Sequence, residues 1–61
     1  MEKQIFKVVV PGDSEFIGSD FSDMLHCALR ESSSGFAVLF VYDSDGTFRN
    51  ALSFSYGRLV S

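Results

Sequence analysis

The chain has one cysteine and one proline, and five lysines and arginines against eight aspartates and glutamates. A lone cysteine excludes an intramolecular disulfide and any multi-cysteine zinc site. A formal net charge of −3 argues against nucleic acid as a direct partner, because phosphate binding needs clustered Lys and Arg. No apolar run approaches the ~18 residues of a membrane helix, so no membrane is expected. The first apolar run ends at Pro11-Gly12, too short for a signal-peptide core, and no small-residue cleavage site follows. One unpaired cysteine without an export signal suits a reducing cytoplasm. Sixty-one residues leave no room for a two-domain enzyme or a dinucleotide-binding unit. A chain this short buries only about 60% of its unfolded surface, so its stability is marginal.

What is present reads as a single domain over residues 1–61. The composition is 46% hydrophobic and 21% charged, which is globular rather than disordered. Residues 4–10 are β-branched and aromatic and end at a Pro-Gly-Asp turn, which predicts a strand. Phe6, Val8 and Val10 share one face; Ile5, Lys7 and Val9 share the other.

Residues 14–32 carry a helical stripe of Ile17, Phe21, Met24, Leu25, Ala28 and Leu29. Ser19 or Asp20 is the expected N-cap, since Gly18 is a poor interior residue. A start at Asp13 or Ser14 is the alternative. Ser32 to Gly35 closes the helix.

Residues 36–42 form a short, wholly apolar run, read as a strand covered on both faces. Asp43 to Gly46 is a turn. Residues 47–56 then alternate, with Phe48, Leu52, Phe54 and Tyr56 on one face beside Asn50, and the serines on the other.

The expected fold class is therefore α+β. It is a small β-α-β-β domain, with a three-stranded sheet and one helix packed on one face. A strand, a helix and a returning strand imply that 4–10 and 36–42 run parallel through a right-handed crossover. Either 36–42 or 47–56 is central.

One helix covers one sheet face, which leaves the other bare. Ile5 and Val9 fall there, with Leu39 and Val41 or their alternates, and a monomer rarely leaves so large an apolar patch in water. These residues are the expected interface of a homodimer.

Residues with chemical potential have structural explanations. Asp43-Ser44-Asp45-Gly46 opens like a calcium loop, yet the twelfth position, where a bidentate Glu belongs, is Phe54. A turn accounts for all four residues. Val10 to Ser14 has one glycine and no lysine, so it is no phosphate loop. His26 and Cys27 are helix neighbours about 100° apart and cannot act on each other. His26 lies near Asp23 and Arg30 without a convergent nucleophile. No catalytic group, metal or cofactor is expected.

Asp13, Glu15, Asp20 and Asp23 stand within eleven residues and have no Lys or Arg among them. Such a cluster steers basic partners, although two of these acids also suit a helix N-terminus.

The expectation is a non-enzymatic, protein-binding modulator that uses the acidic helix face, the apolar sheet face, or both. Small, acidic, motif-poor chains of this kind are common among virus- and phage-encoded inhibitors of host machinery. That analogy is compositional and assigns no residues. The competing readings are a tiny hydrolase or nuclease using His26 with an acid and Tyr56 or Arg58, and a structural subunit of a larger assembly.

Overall fold

The computed structural model describes residues 3–60. Its elements, in chain order, are β1 (Ile5–Val10), β2 (Ser14–Gly18), α1 (Phe21–Glu31), β3 (Phe36–Tyr42), β4 (Phe48–Ser55) and β5 (Arg58–Leu59). The strands form one sheet in the order β2-β1-β3-β4-β5, antiparallel throughout. The α+β class and the helix on one face are as expected, but the sheet has five strands rather than three.

Both additional strands are made by tight hairpins. Pro11 and Gly12 occupy the central positions of a turn closed by the Asp13 N–H on the Val10 carbonyl, at 2.9 Å. Gly12 has φ +75°, which the third residue of a type II turn requires. The chain therefore folds back, and Ser14–Gly18 pairs with β1 instead of entering the helix. Phe16 turns toward the core, and Ile17 turns away and is 71% exposed. The place of Ile17 in the helical stripe is thus a coincidence of spacing.

This early reversal also overturns the parallel crossover. β1 and β2 point opposite ways before the helix begins, so β3 returns antiparallel to β1. Of the two strands that could be central, 36–42 takes the middle place, but the single helix covers only one of its faces, not both as expected.

The helix starts where its cap dictates. Asp20 is extended and accepts the Asp23 N–H at 3.1 Å, so it is the N-cap. Met24, Cys27 and Ala28 are buried against the sheet, and Leu25 and Leu29 pack at the margin. The sheet contributes Phe6, Val8, Ala37, Leu39 and Phe54 to the same core. Phe21 caps one end of this core, with its ring 5.4 Å from that of Phe6.

Leu39 is fully buried on this side, and Val41 shares its face. This corrects their expected outward placement: alternation along β3 sends Phe36, Val38, Phe40 and Tyr42 outward instead.

A second correction concerns Phe48. Val41 pairs with Asn50, but Tyr42 pairs with Phe48, so Arg49 is an extra, unpaired residue. This bulge reverses the alternation and moves Phe48 from the helix side to the outer side. Tyr56 is also not a core residue. It lies in the β4–β5 turn and is 71% exposed.

Candidate functional site: the outer face of the sheet

The helix covers one side of the sheet, and no described element covers the other. Cross-strand register builds that outer face in rows. Ile5, Tyr42 and Phe48 form one row; Ile17, Lys7, Phe40 and Ala51 form the next. Glu15, Val9, Val38 and Ser53 form a third, and Phe36, Ser55 and Arg58 a fourth.

The first two rows hold an aromatic cluster. Phe48 stands 6.4 Å from Phe40 and 5.9 Å from Tyr42, edge-on to the latter; Phe40 and Tyr42 are 6.5 Å apart. These separations favour tilted aromatic pairing. Phe48 is nevertheless 55% exposed and Phe36 45%. Contiguous apolar surface of this kind marks an interaction site more often than idle surface.

Charges lie on the face and around it, with Lys7 between Ile17 and Phe40. Lys7 and Glu15 form an ion pair at 3.5 Å on the β1–β2 side. Arg49 reaches Asp43 at 3.6 Å beside the β3–β4 turn. Arg58 lies on the opposite margin, on β5, with no ion pair among the described residues.

The four acids of the 13–23 segment are not one surface. Asp13 sits in the β1–β2 turn and Glu15 on the outer sheet face. Asp20 and Asp23 lie at the helix start, beyond a five-residue strand that spans roughly 17 Å at about 3.3 Å per residue. The Asp20 carboxylate is engaged as the helix cap.

The remaining candidates are equally dispersed. His26 is exposed in mid-helix, while Arg58 projects from the other side of the sheet and Tyr56 sits in the last turn. Cys27 is buried, and burial raises its thiol pKa. The nearby Arg30 opposes that rise and Glu31 adds to it. In the β3–β4 turn, the Asp45 side chain accepts the Thr47 N–H at 2.9 Å, and hydrogen bonding from Thr47 lowers its pKa. A shallow cleft of about 400 Å³ lies along the β1–β2 hairpin, lined by Val9, Val10 and Gly12 to Glu15; beside its acids stands the Ser14 hydroxyl, with no histidine in the lining to act as its base. No helix among the described residues is long and apolar enough to cross a membrane.

The sequence signal for the aromatic cluster was the unbroken run at 36–42, which has apolar residues to spare for both faces. The part played by Phe48 was hidden by the bulge. No known protein family, curated protein or solved structure matches this chain.

Proposed function

We propose that this protein is a non-enzymatic binding module that docks onto protein through the outer face of its sheet. The observation that carries this reading is the uncovered aromatic cluster of Phe40, Tyr42 and Phe48. Aromatic side chains are enriched at interface hot spots because each buries a large area at small entropic cost. The flanking charged residues resemble the polar rim of such a site. The lone buried thiol suits a reducing cytoplasm, where the module would act on a cellular protein. The acids at the helix start offer a weaker, electrostatic contribution, because they stand apart from Asp13 and Glu15.

Site-specific photo-cross-linking tests this reading. A photoreactive phenylalanine analogue replaces Phe48 in one variant and the exposed His26 in another. Adducts with protein, either the chain itself or a partner in lysate, are expected from position 48 in excess over position 26. Equal, background-level labelling from both positions would falsify the docking role of the face.

A further inference from the structure

Resting on that reading of the outer face, we propose that its occupant is a second copy of this chain. The two sheets pack face to face about a two-fold axis parallel to β3. β3 is the middle strand of five, so this rotation lays β4 on the partner's β1 and β5 on the partner's β2.

The charges select this axis. Asp13 and Glu15 lie on the β2 margin, and Arg58 lies on the β5 margin. Register places them near the same end of the sheet: Phe36 pairs with Ser55, which pairs with Arg58, and the Val9–Val38 pair aligns Glu15 one row away. Rotation about β3 therefore sets each Arg58 over the partner's acids, twice per dimer. An axis across the strands would instead lay the acidic margin on its own copy and the Arg58 margin on its own copy.

The centre of the contact is apolar under the same operation, while Lys7, held by Glu15 of its own copy, lies over the partner's Ala51 and Val9 over the partner's Ser53. Val38, Phe40 and Tyr42 of both copies meet along the axis. Phe48 lies over the partner's Ile5, since Ile5, Tyr42 and Phe48 share one row. Small departures from strict alignment are normal in sheet packing. Strand spacing and rise give a flat footprint of about 400 Å² per copy. With side-chain relief, two such faces bury roughly the 1,000 Å² at which specific interfaces begin. Association in the micromolar range is therefore expected.

Sedimentation equilibrium from low to high micromolar concentration tests the proposal. The wild type is expected to move from 6.8 kDa toward twice that mass. Arg58→Glu, and separately Asp13→Lys with Glu15→Lys, should each weaken self-association about tenfold or more, because both symmetry-related contacts become repulsive. An equimolar mixture of the two variants should recover it. In the mixed dimer the glutamate introduced at position 58 faces the introduced lysines, and the unaltered Arg58 faces the unaltered acids. Circular dichroism confirms that both variants fold. A wild type that stays monomeric throughout overturns the dimer, as do charge variants that associate like the wild type. The docking face itself is tested separately: cross-linking from position 48 to a different protein leaves it standing, and no cross-linking removes it.

Discussion

The Gly57 N–H donates to both oxygens of Ser32, 3.1 Å to the carbonyl and 3.3 Å to the hydroxyl, across 25 residues of sequence. Ser32 is the C-cap of the helix and is fully buried, and its own hydroxyl donates to the Leu29 carbonyl. One small side chain thus ends the helix and holds the last hairpin against it. The Tyr56 N–H adds a bond to the Gly35 carbonyl at 2.9 Å.

Ser32→Ala should therefore cost about 1 kcal/mol, the net worth of a typical buried hydrogen bond. The backbone bond from Gly57 to the Ser32 carbonyl survives the substitution, so the hairpin should loosen rather than detach. Hydrogen exchange at Gly57 should quicken. Ser33→Ala, on the exposed side of the same loop, should stay within about 0.5 kcal/mol of wild type in denaturant unfolding.

Tyr56 has φ +51° and Gly57 φ +75°, so the β4–β5 turn is of type I′. Tyrosine is poorly suited to the first of these positions, and asparagine is well suited. Tyr56→Asn should raise stability by about 0.5–1 kcal/mol. Gly57→Ala should lower it by about 1 kcal/mol through left-handed strain alone, since the nearest neighbour to an added Cβ is the Leu29 carbonyl oxygen at 3.9 Å. The reverse order of melting temperatures would contradict this turn assignment.

Leu39 and Phe40 are adjacent and serve opposite sides of the sheet. Leu39→Ala should remove about 2–5 kcal/mol, most of what a domain of this size has. Phe40→Ala should cost about 1 kcal/mol or less when measured dilute, where the chains are apart. In self-association the ranking inverts: Phe40→Ala folds but no longer pairs. Chemical denaturation at low concentration and sedimentation at high concentration separate the two effects.

Burial raises the Cys27 pKa, so the folded chain holds this proton more tightly than the unfolded chain does. The resulting stability is complete below the ordinary thiol value of about 8.5 and declines as pH rises through and above it. The stability difference between wild type and Cys27→Ala should therefore narrow from pH 7 toward pH 10. Groups common to both proteins cancel in that difference. Thiol labelling should be slow in the native chain and fast in denaturant.

Local chemistry made much of the fold legible. The β-branched residues at 4–10, the Asp20 cap and the apolar run at 36–42 each have one dominant local explanation, and the structure agrees with each. Residues 14–18 do not. Glu15, Phe16 and Ile17 fit both an alternating and a helical reading, and the Pro11-Gly12 turn decides between them by offering β1 a neighbour to hydrogen-bond. β5 is two residues long and has no periodicity to read; Tyr56-Gly57 between two short polar flanks is its trace in the sequence. The sheet's bare side was also legible, because one helix cannot cover two faces. Which of its residues point outward depends on the parity of β3, fixed only when Ala37 and Leu39 pack beneath the helix.

Arg49 stands opposite no residue of β3, and so β4 is written in two phases. Residues 50–55 keep the parity that seats Leu52 and Phe54 under the helix, while Phe48 follows the other. A substitution changes what a position displays, but the pairing or bulging of Arg49 decides which side displays it. Deleting Arg49 would remove the two-against-one mismatch and leave Phe48 opposite Tyr42, still outward. Were Arg49 instead taken into the ladder opposite Tyr42, Phe48 would fall beneath the sheet and the aromatic cluster would be dismantled while residues 50–55 kept their register. The outer face is thus set by whether one residue at the hairpin tip is counted in the ladder or left out of it, a choice that can change without passing through the core.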